Sequence, residues 1–86
     1  MSTKNVDPLT AAQCRAARGL VELTQSELAE EAGLGLSTVV DFERSRRRIS
    51  SDAIEALKKA LEDLGVEFIE ENGGGAGVRL KKPSRK

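Results

Sequence analysis

The chain contains no histidine, tryptophan or tyrosine, one cysteine and two phenylalanines. These gaps exclude much. Without histidine, and with Cys14 alone, a zinc site of the usual nitrogen and sulfur kind cannot be assembled. A lone cysteine closes no intrachain disulfide. No cofactor is implied. Catalysis is set aside as well, because no histidine is present to activate a nucleophile and no paired carboxylates are placed for a cleft. No apolar run approaches membrane-spanning length and no signal peptide is visible. The expected setting is therefore the cytoplasm, with no membrane partner. With so few aromatics, the core must come from Leu, Val, Ile and Ala, which suits a compact helical module. Eighty-six residues imply one small domain that buries roughly 60–65% of its unfolded surface, so self-association would add needed stability.

Charge is present in quantity but sums to zero, with 14 basic and 14 acidic residues. The total argues for no polyanionic partner, but the distribution does. Acidic residues concentrate in 22–31 and 52–71, basic ones in 44–48 and 79–86. A neutral chain can carry a basic face, and that face is what a phosphate backbone meets.

The densest information lies in 23–48, LTQSELAEEAGLGLSTVVDFERSRRR. Thr24 and Glu27 form a capping box that starts a helix at Gln25. Leu28, Ala29 and Ala32 share one face, and the small Ala29 lets another helix cross closely. Gly33 suits the left-handed backbone of a helix end, and Leu34 can plug the corner that follows. The next helix is expected over 36–44. Val39 and Phe42 should face inward; Leu36, Ser37, Val40, Asp41 and Arg44 should lie outward. Two β-branched valines weaken so short a helix, which then needs tertiary support. An exposed face on a short propped helix is what the DNA major groove admits.

Upstream, Thr10 and Gln13 form another capping box opening a helix to about residue 22, with Cys14, Ala17 and Val21 inward. Gly19 weakens that helix by about 1 kcal/mol relative to alanine. Cys14 reads as a small buried hydrophobe, with a redox role as the alternative. Downstream, Ile49 can plug the core, and Ser50 or Ser51 caps a long helix whose apolar stripe is Ile54, Leu57, Ala60 or Leu61, and Leu64. Gly65 is its expected C-cap. Residues 66–71 and 76–80 then read as strands around an Asn72–Gly75 turn, a β-hairpin. The glycine run lacks the Gly-Lys-Ser/Thr ending of a phosphate loop and no helix follows, so nucleotide binding is rejected.

The pattern L-T-Q-x-E-L-A-x-x-A-G-L-x-x-S-T-V-x-x-F-E-R, within a match spanning about 14–64, resembles the lambda-repressor-like, or XRE-type, bacterial helix-turn-helix domains. About ten positions agree in register. The resemblance implies a mainly α fold, a helix-turn-helix bundle of about four helices with a C-terminal β-hairpin. Together with the residue patterns outside the match, it divides the chain into a flexible leader 1–8, a DNA-binding domain 9–65, a hairpin 66–80 expected to make the dimer and a basic tail 81–86. It also implies that Gln25 touches phosphate and braces the recognition helix, and that Leu36, Ser37, Val40 and Asp41 face base edges. Arg18 would pair with Glu43, although the two could be unrelated surface charges. Gly35 and Leu36 depart from the family, which favours Ser or Thr before this helix and a polar residue at its start. Leu36 can pack only on a thymine methyl. Asp41 can accept from cytosine N4 or orient Arg44 or Arg48. Direct readout is therefore thin, and DNA shape would supply part of the specificity.

Arg44, Arg46, Arg47 and Arg48, with Thr38, are expected to contact phosphate. The alternative for the arginines is a solvated charge run complementing a helix dipole. The hairpin segment GVEFIEENGGGAGVRL resembles the tail of many short regulators of this type. Val66, Phe68, Ile69, Val78 and Leu80 would form a dimer through edge strands, spacing two recognition helices by about 34 Å. A self-contained hairpin in a monomer is the alternative. Functionally, the sequence suggests a homodimeric regulator on an inverted-repeat operator in double-stranded DNA, acting alone or through RNA polymerase or a regulatory protein. An antitoxin-like protein-interaction module is the second reading.

Overall fold

The computed structural model describes residues 9–81; the expected leader 1–8 and the tail beyond Lys81 lie outside them. The chain runs through four helices, α1 (Ala11–Val21), α2 (Gln25–Ala32), α3 (Leu36–Glu43) and α4 (Ser51–Asp63), then two strands, β1 (Val66–Ile69) and β2 (Gly77–Leu80). The mainly helical class with a C-terminal hairpin is as expected.

Helices α1, α2 and α4 each begin where the sequence provides a side-chain cap. Thr10 accepts from the Gln13 backbone N–H at 3.0 Å while the Gln13 side chain accepts from the Thr10 N–H at 3.0 Å. Thr24 and Glu27 repeat the arrangement at α2. At α4 the capping hydroxyl is that of Ser50, which accepts from Ala53. Such caps satisfy N–H groups that have no partner within the helix. Gly33 ends α2 in the left-handed conformation and lets Leu34 donate to the Ala29 carbonyl at 2.9 Å. The remaining ends close in other ways. Glu22 and Ser45, not glycines, take positive φ after α1 and α3. At α4 the cap is Leu64, with Gly65 the left-handed residue after it. Leu64 consequently leaves the apolar stripe and is exposed.

The core gathers Leu9, Cys14, Ala17, Leu28, Ala29, Val39, Phe42, Ile54, Leu57, Ala60, Leu61 and Val66. Leu34 and Ile49 pack against it from the two loops, as their positions suggested. Leu9, just ahead of the first cap, is fully buried, a contribution that no periodicity announces. Helix α2 packs on both α3 and α4, while α1 packs on α3, α4 and the hairpin.

Strands β1 and β2 are antiparallel, with Val66 opposite Leu80 and Phe68 opposite Val78. Directly opposed residues share a face, so these four form one apolar side. Its inner part closes the helical core: Val66 is fully buried, and Phe68 and Val78 pack against the core. The opposite side carries an exposed Arg79–Glu67 pair at 3.1 Å. Arg79 holds the Glu67 carboxyl below its ordinary range. Gln13 pins the turn end of the hairpin to α1. Its amide donates to the Gly77 carbonyl at 3.0 Å and, more weakly, to that of Ile69 at 3.4 Å. One buried side chain thus caps a helix and anchors a sheet. Gln13→Ala should lower stability to urea by about 1–3 kcal/mol, because it strands two partly buried carbonyls as well as a cap N–H. Amide exchange should show the loss concentrated in the hairpin.

Candidate nucleic-acid interface

The site is built outward from Glu43, the last residue of α3 and only 1% exposed. A buried carboxylate is costly unless fully partnered. Here both oxygens are saturated. Arg18 donates from Nε to Oε2 and from Nη2 to Oε1, each at 2.8 Å. The Cys14 thiol donates to Oε2 at 3.1 Å, and the Gln25 amide to Oε1 at 3.0 Å. Arg15 donates to the Glu43 backbone carbonyl, satisfying a group at the end of α3 that the helix leaves open. Arg18 also donates from Nη1 to the Leu23 carbonyl at 3.0 Å, which ties in the loop between α1 and α2. No buried side-chain polar atom lacks a partner among the described residues.

Burial alone would raise the Glu43 carboxyl, but the hydrogen bonds from Arg18, Cys14 and Gln25 outweigh it and leave it below its ordinary value. The same bond raises Arg18. Burial, then Glu43, pushes the Cys14 thiol upward. A thiol kept protonated in this way is a donor to the cluster and a poor nucleophile.

Spacing alone does not reveal Cys14 and Arg15 as members of this cluster. Cys14, Arg15 and Arg18 lie at i, i+1 and i+4 on α1, and only the approach of α3 shows that all three meet the same residue. Gln25, placed as a brace by resemblance, does contact Glu43, with the carboxamide as the linking group.

With its end held, α3 turns one face inward and one outward. Val39 and Phe42 are buried. Leu36 and Ser37 are exposed, and Thr38, Val40 and Asp41 are half-buried. Gly35 caps the helix without a side-chain hydrogen bond, leaving backbone N–H groups at the start of α3 open to an external acceptor. Arg44, Arg46, Arg47 and Arg48 are exposed beyond the far end. The chain leaves the helix through left-handed Ser45, with Arg46 N–H donating to the Asp41 carbonyl at 2.8 Å.

One expectation changes here. Asp41 orients neither Arg44 nor Arg48; its carboxylate accepts from Arg47 Nε at 2.7 Å. The turn at Ser45 brings Arg47 back along the helix. Both partners meet solvent, with side-chain exposures of 53% for Arg47 and 22% for Asp41. Such a pair is worth about 0–1 kcal/mol, weak enough for Arg47 to exchange onto a phosphate.

One hairpin residue, Val66, also requires correction. Val66 is wholly inside its own protomer, and Phe68 and Val78 pack on the same core. Only Val66 is spent wholly within the chain. Leu80, at 49% exposed, and the half-buried Phe68, Ile69 and Val78 keep surface for an external contact. Among the described residues, no helix is long and apolar enough to cross a membrane and no cluster could hold a metal ion.

Removing Arg18 leaves Glu43 buried without its counter-charge. Arg18→Ala should therefore cost about 3–5 kcal/mol in urea unfolding at neutral pH. In the parent, Glu43 is depressed on folding, so the unfolded chain binds more protons once pH falls toward the ordinary value of 4.5. Its contribution is complete above that value and is lost as pH falls through the lower folded one. Stability measured from pH 7 to 3 should drop less steeply in Arg18→Ala than in the parent. Parallel curves would show that the pair does not carry this acid sensitivity.

A helix-turn-helix family profile matches residues 15–69, most of the chain. It covers α2 and α3, the arginine block, α4 and β1, and begins within α1. No curated protein matches the sequence. With the capped helix pair, the braced α3 and this match all in agreement, the chain belongs to the XRE-type helix-turn-helix family of DNA-binding regulators.

Proposed function

We propose that this protein is a sequence-specific transcriptional regulator that binds an inverted-repeat operator as a homodimer, with α3 in the major groove. The observation that carries the reading is the outward face of α3, flanked at its C-terminal end by four exposed arginines. Leu36, Ser37 and Val40 meet base edges. Thr38, Gln25, Arg44, Arg46, Arg47 and Arg48 meet phosphate. Gln25 keeps one amide hydrogen for phosphate while the other serves Glu43. Asp41 contacts cytosine only where Arg47 has moved to the backbone. Such a protein acts by occupying a promoter or by touching polymerase.

Phosphate contact releases condensed counterions, so binding must weaken with salt. For a dimer neutralising about eight phosphates, log K against log salt should slope near −7. Fluorescence anisotropy on a random duplex and on a selected one measures it, and a flat line would remove DNA as the partner.

The dimer rests on the hairpin. Two strands make the sheet, so each has one edge without a sheet partner among the described residues, and unpaired edges are templates for another chain. Leu80 is exposed on β2, and an apolar groove of about 290 Å³ runs between α1 and β2, lined in part by Ala12, Ala16, Ala76 and Val78. Removing the hairpin after Gly65 would not test the dimer cleanly, because Val66 would leave the core with it. Leu80→Glu avoids this. It should shift the sedimentation of the full chain to monomer with unchanged helical circular dichroism; a persisting dimer would place the interface elsewhere.

A further inference from the structure

The outward face of α3 has few hydrogen-bonding groups with which to read bases. Leu36 is 47% exposed and Val40 is half-buried one turn later. Residues four apart on a helix are neighbours, about 5–6 Å between Cβ atoms. The Asp41 carboxylate is bonded to Arg47 in the free protein and is released to a base only where Arg47 moves to phosphate, and Gly35 has no side chain. Ser37 is left as the one exposed hydrogen-bonding side chain within α3. A singly exposed leucine is ordinary on a protein surface. A leucine and a valine side by side on the reading face are not neutral there, because the only apolar mark in the major groove is the C5-methyl group of thymine.

We propose that Leu36 and Val40 are specificity-determining residues that recognise C5-methyl groups, so that each operator half-site carries two thymines within about two base-pair steps. The spacing follows from the separation of the side chains, about twice the 3.4 Å rise per base pair. Affinity then comes from the arginines, and discrimination comes largely from methyl burial, with Ser37 adding one polar contact. This rests on the DNA-binding reading above and narrows it to a chemical class of base.

Thymine and deoxyuridine differ only by that methyl and pair identically with adenine. The full chain is used to select its tightest duplex from a random pool, and that duplex is then resynthesised with deoxyuridine replacing thymine, first throughout and then one position at a time. Affinity should fall about fourfold for each contacted methyl, at two positions per half-site. In Leu36→Ser, one of those positions should lose its preference for thymine, and in Val40→Ala the other. Leu36→Ser changes an exposed residue, and its circular dichroism should match the parent. Equal affinity for the thymine and deoxyuridine duplexes overturns the proposal, as does a thymine preference that survives both substitutions, since DNA shape would then be its source. No enrichment in the selection overturns it together with sequence-specific binding. Failure of the DNA-binding reading itself looks different: neither duplex binds at any salt concentration.

Discussion

A buried carboxylate at the end of an eight-residue helix sets the geometry of this molecule. Glu43 takes two bonds from Arg18, one from Cys14 and one from Gln25. Those donors sit on α1 and α2, so the charge is satisfied only when three helices meet in one arrangement. An apolar replacement of such a cluster can be equally stable, because it avoids the cost of taking charges out of water, but hydrophobic contact is not directional. A charge that needs four hydrogen bonds from three residues is directional. It holds the C-terminal end of α3, an eight-residue helix with two β-branched valines and no side-chain cap, at a defined angle to its supports.

That constraint organises the charges as well. Arg18 is drawn onto Glu43 beneath α3 and Arg15 is bonded to the same residue's carbonyl, while Arg44, Arg46, Arg47 and Arg48 stay exposed beyond the end of α3. Asp41 partly offsets them through Arg47. The zero net charge is thus compatible with a basic rim: its acidic counterpart includes the exposed Glu27, Glu30 and Glu31 of α2 and Asp52, Glu55, Glu62 and Asp63 of α4. Local field, not total charge, steers a polyanion.

The hairpin does two kinds of work. A two-stranded sheet is marginal in water, and this one is held by Val66 in the core, by Phe68 and Val78 against it, and by Gln13 across to α1. It is part of the bundle before it can be anything else. What it leaves outside is mainly Leu80 and the strand edges, so any association through it is by main-chain pairing and a small apolar contact.

Helix starts, the α2–α3 turn, the inward pairs Leu28 and Ala29 or Val39 and Phe42, and the change of period at Val66 were all legible from sequence. Each depends on interactions between residues at most a few positions apart: a hydroxyl and an N–H three residues on, a glycine at positive φ, or a repeat of 3.6 or 2. The burial of Leu9, the reach of Gln13 to Gly77, the joining of Cys14 and Arg15 to Glu43, the partner of Asp41 and the commitment of Val66 to its own core were not legible. Most of these are contacts between segments far apart in the chain, 56 or 64 positions for Gln13 and 28 or 29 for the Glu43 partners. The Asp41 contact is short-range but depends on a left-handed turn at a serine. Local chemistry therefore determined which elements form and which face of each is apolar. Only their packing decided which polar groups would be shut away from water together, because that depends on the three-dimensional path of the chain.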